Sequence, residues 1–192
     1  MFSEVLEDQI FPSFLASAKI DYDHDKLKKE IYDVMSTKKS LKISNMGGYQ
    51  SPPFYSTEEY PLLHLLDLEA DIMEFVNFYL HKNKYQCRAN KCEWWVNINQ
   101  EDNYNSIHHH GRSDVIAVFY FDVPSEHCGD FKIMRNDGST YTRLFSDNTF
   151  TIKPEAGRVY IMPGHLWHYV TANQDPLMRE RISISYNIGV TV

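Results

Sequence analysis

Three consecutive histidines, His108, His109 and His110, stand just before an apolar segment and give the clearest indication of chemistry in the chain. Side chains alternate across an extended strand, so His108 and His110 can point to one face while His109 points to the other. Two imidazoles on one face can bind a metal ion when a distant strand supplies a third ligand. His165 and His168 are the candidates for that ligand, and because an odd number of positions separates them, only one can face the interior of a strand.

The pattern does not specify which metal ion binds. Neutral imidazoles with open coordination positions suit iron, zinc, nickel and copper equally well. Structural zinc sites usually have four closed ligands that include cysteine. The cysteines of the chain, Cys87, Cys92 and Cys128, match neither a zinc motif nor a disulfide framework. From pattern alone, the histidines are as compatible with surface or hydrogen-bonded structural roles as with a metal site.

A second polar pattern follows the segment RISISYN, in which Arg181, Ser183, Ser185 and Asn187 share one face of a predicted strand. A buried guanidinium needs a partner, and a ligand with a carboxylate is the natural one because the two groups form paired hydrogen bonds. The alternation alone favours the opposite orientation, in which the isoleucine face packs in the core and the polar face lies in solvent.

The elements that position these residues change character near residue 84. Before it, apolar residues at helical spacing predict helices around residues 27–35 and 62–80. After it, short apolar or alternating runs predict strands, and Asn136-Asp137-Gly138 predicts a hairpin turn. The predicted strands span residues 92–99, 115–123, 129–135, 139–145, 148–154, 158–164, 165–170 and 181–190. This order predicts a single α+β domain over residues 1–192, mostly β. Its helical part at 1–83 is expected to pack on one sheet of a sandwich, barrel or jelly roll at 84–192.

The order of these motifs resembles the double-stranded β-helix, a cupin-like jelly roll, of the Fe(II)/2-oxoglutarate-dependent oxygenases. The narrower resemblance is to small phage-like and bacterial oxygenases related to the prolyl hydroxylase type, and it extends over residues 40–190. The matching segments are Ser44 to Ser51, Trp95 with Asn97, Asn105 with His108 and His110, Val118 with Tyr120, Pro154 with Gly157, His168, and Arg181 to Asn187.

The resemblance implies that His108 and His168 bind iron and that His110 is the third ligand, at a position where the superfamily usually has a carboxylate. Three neutral ligands make such a site more positive and can shift its metal preference. The alternatives for the third position are Asp114, His109 and, less directly, Glu101 and Asp102.

The same resemblance implies that Arg181 holds the distal carboxylate of 2-oxoglutarate, with Ser183 beside it. Tyr120 then donates a hydrogen bond to the same carboxylate, and Asn97 lies where related enzymes place another co-substrate contact. The polar face of the last strand is then expected to point inward, against the argument from periodicity.

The implied function is that of a dioxygenase dependent on Fe(II), O2 and 2-oxoglutarate. It would hydroxylate a protein side chain, as prolyl hydroxylases do, or a small molecule, while 2-oxoglutarate is decarboxylated to succinate. Two other functions stay open: a three-histidine, cupin-like metalloenzyme that does not use 2-oxoglutarate, and a non-catalytic β-barrel that binds a ligand or partner. The loop at residues 44–56 is predicted to cover the substrate side of the site.

Charge and hydropathy bear on the partners. The net charge is −7 and no basic cluster is present, so duplex nucleic acid is not an expected partner. The sequence has no apolar run long enough for a membrane helix and begins without a basic leader, so neither a membrane nor secretion is expected. The cysteine usage predicts a cytoplasmic location, the host cytoplasm if the protein is viral. An exposed strand edge can pair two copies into a homodimer, but the sequence does not specify the oligomeric state.

Overall fold

The structure, a computed structural model, describes residues 13–55, 62–135 and 148–192. Two helices occur there, α1 (His24–Thr37) and α2 (Leu63–Lys82). The strands are β1 (Ala16–Lys19), β2 (Asn45–Met46), β3 (Tyr49–Gln50), β4 (Phe54–Tyr55), β5 (Arg88–Asn99), β6 (Tyr104–His108), β7 (Val115–Asp122), β8 (Phe131–Met134), β9 (Thr149–Ile152), β10 (Arg158–Pro163), β11 (His168–Val170) and β12 (Arg181–Thr191). The predicted hairpin turn at 136–138 and the predicted strand at 139–145 lie outside the described residues.

The strands form two antiparallel sheets. The larger sheet has the order β1-β10-β7-β12-β5-β3, with β4 also paired to β5, and the smaller sheet has the order β2-β6-β11-β8-β9. Strands that are distant in sequence are neighbours in both sheets, as in a jelly roll, where the chain crosses repeatedly between two layers. The predicted fold class, mostly β with N-terminal helices on one sheet of a double-stranded β-helix, is confirmed.

The two helices cover the outer face of the larger sheet. Asp23 caps α1 by accepting a hydrogen bond from the Lys26 backbone N–H at 3.2 Å, an interaction that stabilises a helix by about 1 kcal/mol. The Glu30 carboxylate of α1 accepts hydrogen bonds from the backbone N–H groups of His64 and Leu65 in the first turn of α2. The start of α2 is therefore capped by a side chain of the neighbouring helix, which fixes the two helices relative to each other. The helix residues buried against the sheet include Leu27, Ile31, Val34, Leu65, Leu68, Ile72 and Val76.

Strand β7 lies in the middle of the molecule and contributes to two cores. Phe119 and Phe121 pack on the helix side of the larger sheet, in the larger apolar cluster. Ile116 and Tyr120, which point to the opposite face, pack between the two sheets with Phe131 of the smaller sheet. Because both faces of the strand are covered, nearly every position is apolar, which explains why its sequence lacks the alternation of a half-exposed strand.

Strand β12 corrects the argument from periodicity. Its isoleucine face packs against the helices, with Ile182 and Ile184 fully buried. Its polar face is not in solvent, because Arg181 and Ser183 are also buried, at 1% and 8% exposed. The orientation that periodicity favours is therefore wrong, and the inward-facing polar side expected from the resemblance is confirmed, since the second sheet covers the face that the helices leave free.

The N-terminal half also contributes strands that the sequence analysis did not predict. Strand β1 extends the larger sheet by pairing with β10, and three two-residue strands, β2 to β4, lie within or beside the segment predicted as a loop. Strand β2 pairs with β6 of the smaller sheet, whereas β3 and β4 pair with β5 of the larger sheet. The loop region is thus held to both sheets at one end of the molecule.

Neither helix in the described ranges combines the length and apolar character that crossing a bilayer requires.

Candidate active site

Three histidine side chains converge at the end of the smaller sheet. His108 is the last residue of β6 and pairs directly with His168, the first residue of β11. His110 follows two residues after the end of β6. The ring centroids of His108 and His168 are 4.3 Å apart, and each lies 5.1 Å from that of His110. One nitrogen from each ring lies within 4.8 Å of the other two, so the three side chains can bind one metal ion.

Hydrogen bonds select the nitrogen that each ring presents to the centre of the cluster. The Nδ1–H groups of His108 and His168 donate to the backbone carbonyls of Ser106 at 2.6 Å and Leu166 at 2.9 Å. The Nδ1–H of His110 donates to the side-chain oxygen of Asn187. A neutral imidazole that carries its proton on Nδ1 has a lone pair on Nε2. All three rings therefore offer a free Nε2, which is the state that metal ligation requires.

Burial keeps the three rings neutral. Desolvation, with a smaller effect of the neighbouring His108, lowers the pKa of His168 to about 3. Desolvation also lowers the pKa of His110 to about 4, against the opposing effects of its hydrogen bond to Asn187 and of the Glu93 charge. The pKa of His108 is lowered for the same main reason. At neutral pH the cluster therefore carries no protons that a metal ion would have to displace.

The other candidates for the third ligand lie outside the cluster. The ring of His109 packs edge-on against Trp167, with centroids 4.3 Å apart. The Asp114 carboxylate accepts a hydrogen bond from the backbone N–H of Val190 at 2.9 Å. Three further candidates are exposed and also lie apart from the cluster: His165, Glu101 and Asp102.

The residues predicted to hold a co-substrate line one narrow cavity between the two sheets, next to the three histidines. The cavity has a volume of about 30 Å³, room for water, so a five-carbon diacid can enter only if its walls move apart. The predicted residues among its walls are Asn97, Tyr120, Arg181 and Ser183, together with His108, His110 and His168.

Arg181 is a buried cation at this cavity. Its guanidinium donates hydrogen bonds to the backbone carbonyls of Cys128 at 2.5 Å and Thr171 at 3.2 Å. Across residues 13–55, 62–135 and 148–192, no carboxylate lies within ion-pair distance of it. Desolvation lowers the pKa of Arg181, which shows how poorly its charge is compensated. A buried cation in this state can accept an anionic ligand.

Two further buried polar atoms at this cavity lack a hydrogen-bond partner among the described residues. The Tyr120 hydroxyl is fully buried and has no hydrogen-bond partner among the described residues. Asn97 donates from its side-chain nitrogen to Ser185 at 3.1 Å, but its Oδ1 has no partner within that same part of the chain. Buried polar groups are almost always paired, so a polar ligand in this cavity could supply the partners that these two atoms lack.

A second, larger cavity opens on the other side of the histidine cluster. This outer cleft has a volume of about 740 Å³, within the range of small-molecule sites. One wall comes from the segment at residues 43–55, through Ile43, Gln50 and Tyr55. The two cavities share Ser44, Trp95, His108 and His110 as lining residues, so a metal ion bound by the cluster would border both.

Strands β5 and β12 together supply the inner face of the larger sheet at the site. Their register places Asn97 opposite Ser183, Trp95 opposite Ser185, and Glu93 opposite Asn187. Trp95 stacks on the ring of His110 at 5.7 Å between centroids. Glu93 and Asn187 are not among the residues predicted to form the site. The signal for them was the alternation itself, which places them on the same faces as Trp95 and Arg181.

The comparisons with known proteins agree with this geometry. The model of a family described as "Putative 2OG-Fe(II) oxygenase" matches residues 93–187, a span that contains all of the predicted site residues. No curated protein sequence is significantly similar to the chain.

Several solved structures have the same fold. A prolyl-4-hydroxylase from Pseudomonas putida has a TM-score of 0.61 at 13% identity, with 91% of each chain covered. A prolyl hydroxylase from Trichoplax adhaerens, in complex with a peptide fragment of hypoxia inducible factor, has a TM-score of 0.63 at 9% identity, with 91% of this chain and 83% of that chain covered. HygX from Streptomyces hygroscopicus, with nickel, 2-oxoglutarate and hygromycin B bound, has a TM-score of 0.59 at 10% identity, with 92% and 83% covered.

These likenesses establish the fold, and the family match adds the chemistry. Residues 93–187 belong to the 2OG-Fe(II) oxygenase family, and the chain is an oxygenase whose cofactors are Fe(II) and 2-oxoglutarate.

Proposed function

We propose that the chain is a hydroxylase that acts on a side chain of a protein or peptide, converting 2-oxoglutarate to succinate and CO2 as it does so. One observation carries this proposal. Three free imidazole nitrogens lie next to a cavity whose far end holds a buried, uncompensated arginine. Bound there, Fe(II) together with 2-oxoglutarate and O2 supplies the oxidising chemistry, in which one oxygen atom enters the substrate and the other enters succinate.

His108, His110 and His168 are the proposed metal ligands. Their hydrogen bonds through Nδ1 hold each ring with its Nε2 toward the centre, so little reorientation is needed on binding. The donor set, three neutral nitrogens with open positions, fits Fe(II), which accepts imidazole ligands and leaves room for a chelating co-substrate.

Arg181 is the proposed anchor for the distal carboxylate of 2-oxoglutarate. The hydroxyl of Tyr120 would donate a second hydrogen bond to that carboxylate. Ser183 and Asn97 would line the path of the carbon chain of 2-oxoglutarate between Arg181 and the metal. A dianionic ligand resolves at once the uncompensated charge of Arg181 and the unpaired hydroxyl of Tyr120. The four cavity residues thus fit the co-substrate of the family.

A peptide is the proposed substrate because the outer cleft is large, open to solvent and bordered by exposed apolar side chains. Ile43, Tyr55 and Ile107 are 69%, 43% and 49% exposed beside it. Exposed apolar groups around a cleft favour a partner that buries them. A neighbour in fold, the Trichoplax adhaerens prolyl hydroxylase, binds a peptide, whereas another, HygX, binds hygromycin B. A small molecule is therefore the second substrate class to test.

One observation favours a second function. The ligand set has three histidines where the superfamily usually has two with a carboxylate, which is also the ligand set of three-histidine metalloenzymes that do not use 2-oxoglutarate. Such an enzyme has no need of a carboxylate anchor, so the two functions differ in what Arg181 does.

The proposed function is tested by mass spectrometry of peptide libraries incubated with the Fe(II)-loaded protein, 2-oxoglutarate and O2. The expected result is a peptide that gains one oxygen atom with one succinate formed per modified peptide. His108→Ala should abolish both products, whereas His81→Ala, which changes an exposed histidine in the last turn of α2, should keep them. Succinate formation by the His108→Ala variant at the wild-type rate contradicts the metal assignment. Oxidised peptide without any succinate supports the second function instead.

A further inference from the structure

Asn187 and Glu93 form a short hydrogen-bonded chain behind one of the proposed metal ligands. They occupy directly opposite positions on β12 and β5. The Asn187 side-chain nitrogen donates to the Glu93 carboxylate at 2.6 Å, and the Asn187 side-chain oxygen accepts from Nδ1 of His110. The chain therefore runs from a carboxylate, through an amide, to an imidazole.

The order of donors and acceptors in this chain is fixed from one end. An ionised carboxylate can only accept hydrogen bonds, so Glu93 forces the NH2 group of Asn187 to face it. The amide oxygen of Asn187 must then face His110, and His110 must carry its proton on Nδ1. Nε2 of His110 is thereby left with its lone pair toward His108 and His168. A reversed Asn187 amide would favour the other tautomer, in which His110 cannot bind a metal.

We propose that Glu93 is a positioning residue for the metal site: acting through Asn187, it fixes the tautomer and orientation of His110 and supplies the negative charge that a three-histidine ligand set lacks. The proposal rests on the function proposed above. It explains how a histidine can stand at a position where a carboxylate is usual. The carboxylate is present, but it is two hydrogen bonds away from the metal site instead of at it.

The contacts of His108 and His168 show why His110 needs this arrangement. Those two rings donate to backbone carbonyls within two residues of themselves, so the local chain fixes their tautomers. His110 lies beyond the end of β6 and donates instead to a side chain of the other sheet. A side-chain amide can turn over, whereas a backbone carbonyl cannot, so only His110 depends on a third group for its orientation.

The test is a double-mutant cycle on Fe(II) affinity, measured anaerobically by competition with a chromophoric chelator. The variants are Glu93→Gln, which keeps the shape of the side chain and removes its charge, Asn187→Leu, which removes both hydrogen bonds between Glu93 and His110, and the double variant. Each single change should weaken Fe(II) binding about 10- to 100-fold, as loss of a group that orients a metal ligand generally does. The double variant should bind within about twofold of Asn187→Leu, because Glu93 acts only through Asn187.

Two controls separate this role from general effects. Glu74→Gln removes the same charge from the exposed face of α2 and should keep wild-type affinity. The visible spectrum of bound Co(II) reports the ligand set directly. In Glu93→Gln it should shift toward the spectrum of a His110→Gln variant, a change that a merely structural role of Glu93 would not produce. If Asn187→Leu fails to fold, Asn187→Ser completes the cycle.

Two outcomes overturn the proposal: wild-type Fe(II) affinity and Co(II) spectrum in Glu93→Gln, or additive losses in the double variant, which would mean that Glu93 acts without Asn187. Failure of the proposed function looks different. A wild-type protein that binds no Fe(II) removes both proposals. If the wild type binds Fe(II), His108→Ala does not, and Glu93→Gln is unaffected, then the metal site stands and only the role of Glu93 falls.

Discussion

Replacing Arg181 by methionine separates a binding role from a structural one, because the two roles predict opposite effects. Methionine fills much of the same volume without the charge. If Arg181 exists to bind a carboxylate, the variant should lose affinity for 2-oxoglutarate and yet fold nearly as well as the wild type. If Arg181 exists to hold the sheets together, the variant should unfold.

The contacts of Arg181 set the size of the stability effect. Loss of its two hydrogen bonds to carbonyls costs about 1.5–3 kcal/mol each in the ligand-free protein. Removal of a fully buried, uncompensated cation stabilises the folded state by several kcal/mol, because the charge no longer has to be desolvated on folding. The two contributions are opposite in sign and similar in size, so we expect the free energy of unfolding to change by no more than about 2 kcal/mol in either direction.

The effect on co-substrate binding is not compensated in this way. Truncating one partner of a buried, charged hydrogen-bonded pair costs about 2–5 kcal/mol, which corresponds to at least a 30-fold rise in the Kd of 2-oxoglutarate. Urea denaturation of the metal-free protein gives the first quantity, and anaerobic calorimetry of the Fe(II) form gives the second. A 2-oxoglutarate Kd within threefold of wild type, or a loss of more than 4 kcal/mol of stability, would refute this reasoning.

Three further changes test neighbouring parts of the account. The metal-free protein should be most stable above pH 6.5 and lose about 4 kcal/mol between pH 7 and pH 5, because folding lowers the pKa of His110 to about 4 and of His168 to about 3, so the unfolded chain binds protons first. Changing both residues to glutamine should remove most of that slope from the urea denaturation series and leave the part that His108 contributes. Tyr120→Phe should leave the stability of the metal-free protein unchanged or slightly higher, since the buried hydroxyl of Tyr120 has no partner among the described residues. The affinity for 2-oxoglutarate, measured by calorimetry, should fall about fivefold. Gly129→Ala should destabilise the protein by about 2–4 kcal/mol in thermal unfolding. Gly129 has a φ of +92°, and an added Cβ would lie 2.3 Å from the carbonyl oxygen of Thr171. Wild-type stability in this variant would show that the backbone beside the site can move aside.

The helices and most strands could be predicted because their residues carry a local signal. The stripe of Leu27, Ile31 and Val34 and the apolar run of β7 correspond directly to buried faces. The short strands β1 to β4 carried no such signal. They are two to four residues long and exist because longer strands offer them hydrogen-bonding edges, which is information held elsewhere in the chain.

The orientation of β12 shows where periodicity stops being informative. Alternation along a strand indicates that its two faces differ in polarity, but not which face is buried. The isoleucine face suggested a core, and a core is there, yet the arginine face is also buried because a second sheet covers it. Only the order of motifs along the whole chain, and its resemblance to known oxygenases, indicated that the polar face points inward.

The candidate site could likewise be predicted only in part from local patterns. The spacing of His108 and His110 and the odd separation of His165 from His168 limited the metal ligands to a few combinations, and in the structure three of these side chains lie together. Alternation places Glu93 and Asn187 on the faces that carry Trp95 and Arg181, but their pairing depends on the register between β5 and β12, which neither segment specifies alone.

An anaerobic titration of the metal-free protein tests the claim that one site binds both Fe(II) and 2-oxoglutarate. Fe(II) is added to the metal-free protein first, followed by 2-oxoglutarate, while the visible absorption is recorded. One equivalent of Fe(II) should bind, and 2-oxoglutarate should then produce the charge-transfer absorption of a keto acid chelated to iron. This absorption should be absent when the Arg181→Met variant is given the same low concentration of 2-oxoglutarate. Binding of Fe(II) with no such absorption at any 2-oxoglutarate concentration, or no binding of Fe(II) at all, would contradict the claim.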